Sequence, residues 1–270
     1  GRYIIDIYHN LCDGLEGKKC NIKRIKTILE RILKDKFIIQ HQECGLRESK
    51  EQCKFTYMSQ DKFSVQIGIS KTTKAGSPVS GDTNLETKLE DGKYLLAISD
   101  GMGSGLKAYE ASKALLKRLE GLINLPYDDE KIIRLLTELS HISLFTSSYA
   151  TLDFFSANLA TKKGKLFKIA SSTSLLIRNN QIKEFNTKTL PIDFDGILDL
   201  YEIDLEKNDI ILLMSDGVFD FSNIKALYSY ILSISYLEPD KLVYNIAKYI
   251  FNESNKKLHD DISILAIKVY

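Results

Sequence analysis

Three apolar runs in this chain end or begin on aspartate. YLLAISDG closes on Asp100-Gly101, IILLMSDG closes on Asp216-Gly217, and Asp260-Asp261 opens ISILAIKVY. Each run reads as a buried strand. One Asp-Gly after a strand is an ordinary turn, because Asp caps the local backbone and Gly supplies positive φ. Two such pairs, each preceded by Ser, and an Asp-Asp before a third run ask for more. Carboxylates at strand ends are held by rigid elements, and several of them meeting in one crevice repel unless divalent cations neutralise them. Asp82, in the Gly- and Ser-rich stretch SPVSGD, supplies a fourth carboxylate. The pattern predicts a multi-metal carboxylate site.

Between these runs the periodicity alternates between strands and paired helices. Asn21 caps a predicted helix running to about Phe37, with Ile22, Ile25, Ile28, Leu29, Ile32 and Leu33 at helical spacing. Strands begin after Lys54, with Phe63, Val65, Ile67 and Ile69 alternating, and a loop is expected from Lys71 to Asn84. After the strand at 94–99, helices are expected over about 104–123 and 128–143. The first places Ala108, Ala111, Leu115, Leu119, Leu122 and Ile123 on one side, and the second starts with three acids at its positive dipole end. A meander follows at 151–160, 164–170, 173–178 and 181–185, with Asn179-Asn180 as a two-residue hairpin turn. Strands near 199–205 and 209–215, helices at 222–234 and 239–253, and a strand at 262–269 complete the pattern. Many strands with two separate helical pairs suggest two packed sheets flanked by helices.

Composition narrows the function. The 270 residues are 44% hydrophobic and 27% charged, which suits one large core or two modest ones. With 37 basic against 36 acidic residues there is no field to attract nucleic acid. The apolar run Ile210–Met214 is far below the ~20 residues that cross a bilayer. No signal pattern opens the chain, and Gly1-Arg2 reads as a cut from a longer protein, so a cytoplasmic location is expected. Cys12, Cys20, Cys44 and Cys53 all lie in the first 53 residues, without short CxxC pairs, and read as reduced thiols. Their confinement marks a border near residue 53. The helix before it is either packed on its own domain or a regulatory or linker helix.

The acidic motifs carry a family resemblance. SGD at 80–82, ISDGMGSG at 98–105, LMSDGVFD at 213–220 and DDISILAIKV at 260–269 resemble the ordered motifs of metal-dependent PP2C-type serine/threonine phosphatases. Within that group they are most similar to the phosphatase region of the stage II sporulation protein E family. QECGLRESKEQC at 42–53 also resembles the stretch preceding that region. The resemblance implies a four-layer αββα sandwich over 54–270, with 1–53 as an N-terminal helical regulatory or linker segment. It implies two manganese or magnesium ions, which oxygen donors without His or Cys also favour. Asp100 would bridge them, the Gly101 carbonyl would join the first, Asp216 and Asp260 would complete the second, and Asp82 would hold coordinated water from one position further out. Asp261 stands where many members have Asn, so the ligand role falls to Asp260.

Two departures from the family pattern are visible. Met102 occupies the place of a proton-donating His found in many members, which leaves the general acid unassigned. The phosphate-binding Arg of many members is absent, and Lys71 and Lys74 in that stretch read as solvated lysines, with a phosphate-facing point charge as the other reading. His259, beside Asp260, reads either as a residue standing just behind the ligands or as incidental to the site. Gly103 and Gly105 give the joint before the first helix pair freedom, so the position of that pair could set the Gly101 carbonyl.

The resemblance further implies a phosphoserine anti-anti-sigma factor as substrate and activation of a sporulation sigma factor as the outcome. It also implies a membrane anchor elsewhere in the full protein, at the sporulation septum. A second copy of the chain is another candidate partner. Two other readings remain: a PP2C-fold pseudophosphatase that acts by docking, which would not need the whole acidic set, and a nucleotide hydrolase, which lacks a GxxxxGK[ST] loop.

Overall fold

A computed structural model describes residues 2–11, 20–89, 91–142, 149–187, 198–220 and 223–270. The chain divides into two compact units, Gly1–Lys62 with Asn158–Thr161, and Phe63–Ala157 with Lys162–Tyr270.

The first unit is a small α/β layer pair. Strands β1 (Ile4–Asn10), β2 (Phe37–Glu43) and β3 (Gln52–Ser59) form an antiparallel sheet in the order β1-β3-β2, with helix α1 (Ile22–Leu33) and the short α2 (Gly45–Glu48) between them in sequence. Cys53, Phe55 and Tyr57 alternate inward from β3 and meet Ile22, Ile25, Leu29 and Leu33 of α1. That alternation draws β3 into this sheet, so the compact unit runs to Lys62, past the compositional border at residue 53. The buried Tyr57 hydroxyl donates to the Ile22 carbonyl at 2.9 Å, and burial pushes its phenol up to about 12.

The helix expected to reach Phe37 stops at Leu33. Lys34 turns left-handed with φ 51°, and Phe37 enters β2 fully buried, its N–H donating to Glu30 Oε1 at 3.2 Å. Cys20, Cys44 and Cys53 are free thiols; Cys12 lies outside the described residues.

The second unit stacks two five-stranded sheets between two helix pairs. One sheet has the order β10-β9-β12-β13-β4, from β4 (Val65–Thr72), β9 (Ser174–Arg178), β10 (Gln181–Phe185), β12 (Ile210–Met214) and β13 (Ile262–Val269). The other has the order β11-β8-β7-β6-β5, from β5 (Asp82–Lys88), β6 (Tyr94–Asp100), β7 (Leu152–Asn158), β8 (Lys163–Ile169) and β11 (Asp199–Asp204). Alternation then assigns the faces. Ile210, Leu212 and Met214 with Ile262, Ile264 and Ala266 pack under α5 (Ile224–Ile234) and α6 (Pro239–Glu253). Leu95 and Ala97 pack under α3 (Leu106–Leu122) and α4 (Asp129–Ile142). The opposite faces, Leu96 and Ile98 on β6 and Ile211, Leu213, Leu265 and Ile267 on β12 and β13, are buried as well, and β6 lies against β12 and β13. The result is the αββα sandwich.

Between the sheets lies a buried ion pair. Lys168 Nζ donates to Asp153 Oδ1 at 2.6 Å, to the Ser172 carbonyl at 2.6 Å and to Ser174 Oγ at 2.7 Å, with both charged side chains 0% exposed. Desolvation works against both charges, raising the carboxyl and lowering the ammonium.

Two local readings need correction. The stretch expected as a loop from Lys71 to Asn84 contains the end of β4 and the start of β5, so Asp82 opens a strand. Helix α3 buries Leu116 with Ala108, Ser112 and Leu119, and leaves Leu115 partly exposed. The Asn179-Asn180 turn is as expected, with φ 51° and 58°.

Candidate metal centre

Asp82 and Asp100 are direct partners across the β5–β6 ladder, at the mouth of one sheet. Asp216 follows β12 at the start of a single 3-10 turn, and Asp260 precedes β13, both at the same end of the other sheet, where β12 and β13 pair. Four carboxylates from two sheets therefore share one mouth.

Close packing sets the joints. A Cβ on Gly101 would lie 1.9 Å from the Ala108 carbonyl oxygen, so α3 rests directly on the backbone that follows Asp100. A Cβ on Gly217 would lie 2.2 Å from the Asp261 carbonyl oxygen, which brings the Asp216 turn onto the Asp260-Asp261 pair. Gly103 and Gly105, at φ 102° and 70°, complete the turn into α3. The Thr151 hydroxyl accepts from the Asp100 N–H at 3.1 Å, and the Thr151 N–H donates to the Asp100 carbonyl at 2.8 Å. The hydroxyl of Ser215 accepts from the Ser263 N–H at 2.9 Å and donates to the Asp261 carbonyl at 3.2 Å.

The two neighbouring aspartates of the third motif divide their work. Asp261 is 4% exposed, and its two oxygens accept the N–H groups of Lys74 at 2.8 Å and Gly81 at 2.6 Å. It is an anchor tying β13 to the segment before β5. Asp260 keeps its side chain 41% exposed and faces the mouth, where its Oδ1 accepts from Lys74 Nζ at 3.1 Å and from the Asp261 N–H at 2.8 Å. Lys74 is thus ion-paired and only 18% exposed rather than solvated, and Lys71 Nζ donates to the Asp82 carbonyl at 2.5 Å. His259 stays exposed, and Met102 is 54% exposed beside the mouth.

The electrostatics follow from this crowding. Burial, then the charges of Asp82 and Asp216, push the Asp100 carboxyl up to about 8. Burial, then Asp260, raises Asp216, with the Gly217 N–H pulling part of the way back. Burial also raises Asp82, which the nearby hydroxyls of Ser263 and Ser215 offset in part. Asp82 Oδ2 is buried without a hydrogen-bond partner among the described residues. As they stand, the described side chains do not close into a three-ligand cage. Their chemistry nonetheless fits a hard divalent cation: oxygen donors only, mutual repulsion that a cation relieves, and an orphaned buried oxygen at the rim.

Sequence reasoning found the carboxylates but not the roles of Lys74, Thr151 and Ser215. Lys74 was visible only as a basic residue in the right stretch; nothing marked Thr151.

Comparison with known proteins bears on the fold and the family. The chain is 27% identical over 225 residues to stage II sporulation protein E of Priestia megaterium, which covers 82% of this chain and 37% of that protein. The chain thus spans little more than a third of that relative's length. Among solved structures, the PP2C phosphatase domain and regulatory-domain fragment of SpoIIE from Bacillus subtilis superposes with a TM-score of 0.79 at 20% identity, over 100% of this chain and 79% of that one. The catalytic domain of the serine/threonine protein phosphatase PstP, in complex with two manganese ions, superposes at 0.62 and 15% identity, over 77% of this chain and 99% of that one. The family model for Stage II sporulation protein E (SpoIIE) matches residues 90–270, well over half of the chain, and the chain belongs to that family.

Proposed function

We propose that this chain is a metal-dependent protein serine phosphatase acting on a phosphoserine anti-anti-sigma factor, and so on a sporulation sigma factor. The observation that carries the proposal is the convergence of Asp82 and Asp100 from one sheet with Asp216 and Asp260 from the other in a mouth of oxygen donors. Asp100, the Gly101 carbonyl, Asp216 and Asp260 would hold two manganese or magnesium ions, with Asp82 orienting water beside them. Bound there, such ions supply Lewis acidity and an activated water, so no side-chain nucleophile is needed.

The residues of the chain do the rest. Asp261 holds the β13 end in register through its two backbone N–H contacts, and Ser215 and Thr151 fix the strand ends that present Asp216 and Asp100. Lys74 lies beside Asp260 with a charge suited to a phosphoryl oxygen. Membership of the family supports a sporulation role, with the full protein anchored at the septum and this domain in the cytoplasm, and a second copy as a candidate partner.

The test is release of phosphate from a phosphoserine anti-anti-sigma factor, with manganese, with chelator, and against a nucleoside triphosphate. Manganese-dependent turnover of the phosphoprotein alone is expected. Equal turnover of the nucleotide, or turnover unaffected by chelator, would overturn the reading.

A further inference from the structure

A groove of about 480 Å³ opens beside the carboxylate mouth, between the outer edge of β5 and one face of α3. We propose that it docks an extended acidic segment of the substrate protein, a few residues from the phosphoserine. The proposal rests on the phosphatase reading and adds the class of sequence that the site selects.

Charge is the first support. Lys71, Lys113 and Lys117 line the groove against one acid, Glu120. Lys113 and Lys117 stand one turn apart on α3, one and two turns beyond Tyr109. The Lys113 ammonium bonds the Tyr109 hydroxyl at 3.1 Å and sits 5.0 Å from the ring centroid, so its partner is a phenol rather than a carboxylate. The chain as a whole has a formal net charge of only +1, which makes this local excess selective rather than general.

Backbone is the second support. β5 is the outermost strand of its sheet, so its outer N–H and C=O groups have no strand partner among the described residues. An extended segment can add to such an edge, with Leu85 and Leu116 as an apolar floor. Lys71 already shows that the outer edge is reachable, since its ammonium takes the Asp82 carbonyl.

Continuity with the mouth is the third. β5 begins at Asp82, and Ala108 of α3 touches Gly101 and Gly81. At ~1.5 Å per helical residue, Lys113 and Lys117 lie roughly 8 and 14 Å along α3 from Ala108. At ~3.3 Å per extended residue, these distances place their counter-charges about two to four residues from the phosphoserine.

The test uses the full chain, the K113E/K117E variant, and phosphoserine peptides with aspartate or with alanine two to four residues away on either side. Fluorescence anisotropy reads binding without catalysis. The acidic peptide should bind the parent about tenfold more tightly than the alanine peptide, with a preference that fades as salt is raised, and K113E/K117E should abolish the preference. Turnover of p-nitrophenyl phosphate with manganese should be equal in the two proteins, which also shows that the variant is folded. Equal binding of the acidic peptide by parent and variant would overturn the proposal. Absence of any turnover by the parent would overturn the phosphatase reading instead, and the anisotropy result would still decide the groove.

Discussion

The ammonium of Lys74 lies 3.1 Å from Oδ1 of Asp260. The pair makes Lys74 a resident counter-ion, and its hydrogen bond to Asp260 is the main reason its own pKa is raised. Lys74→Met should therefore bind manganese about three- to tenfold more tightly by calorimetry, because no ammonium competes for the carboxylate. Turnover of phosphoprotein should fall in the same variant if Lys74 then meets the phosphoryl group. Weaker manganese binding by folded Lys74→Met would show that the lysine organises the site instead of competing for it.

Asp260→Asn and Asp261→Asn should fail in different ways. At position 260 the change removes a charge from the mouth, so manganese affinity and turnover should fall by at least about 100-fold with little change in melting temperature. At position 261 an amide can accept only one of the two N–H groups that Asp261 now satisfies, from Lys74 and Gly81. That variant should lose roughly 1–3 kcal/mol in urea unfolding and keep most of its manganese affinity. Matching losses of metal binding in both variants would place both carboxylates on the ions.

The raised Asp100 carboxyl makes stability depend on pH. Between its ordinary value of 3.8 and about 8, the folded metal-free protein holds a proton that the unfolded chain has released, so unfolding becomes easier as pH rises through that window. The melting temperature of the chelated protein should fall from pH 5 to pH 8 more steeply than that of Asp100→Asn, which has no carboxyl to titrate. Parallel curves for the two proteins would refute the account. Asp100→Asn should also remove manganese-dependent turnover while remaining folded, since the exchange changes almost no volume.

The buried pair between the sheets predicts an asymmetry in stability. Lys168→Met alone leaves Asp153 uncompensated and should cost about 3–5 kcal/mol, whereas replacing both residues with apolar ones should cost far less. The urea midpoints of the two single variants and the double variant decide it. A double variant as unstable as the sum of the singles would mean that the two side chains act independently, and would refute this account of the pair.

The second unit was largely legible because its strands and helices have strong, opposite periodicities. The runs ending at Asp100 and Asp216 and beginning at Asp260 are almost wholly apolar, and helix α6, expected over 239–253, occupies those residues. β5 was missed for a physical reason: as an edge strand it carries Leu85 as its one large apolar residue, so alternation has little amplitude. The first unit hid its sheet for a different reason: β1 and β2 carry large apolar residues on their exposed faces too, among them Ile4, Tyr8, Ile38 and Ile39, so inward and outward positions do not alternate in polarity. Of the site, the carboxylates were visible as strand-end motifs. The anchoring role of Asp261 was not legible, because it depends on N–H groups of residues 74 and 81, about 180 positions away.

That separation has a kinetic meaning. Asp261 closes loops of 187 and 180 residues when it takes the Lys74 and Gly81 amides, and β13 is the strand that joins β4 to the rest of its sheet. Contacts so distant in sequence form late, because the chain entropy lost in closing such loops is recovered only when the whole sandwich comes together. A nascent chain that has not yet been translated past Asp260 would have Asp82, Asp100 and Asp216 but no acidic mouth. The cluster of four carboxylates would thus come together in one step, near the end of folding, and no partly made chain would hold it ahead of time.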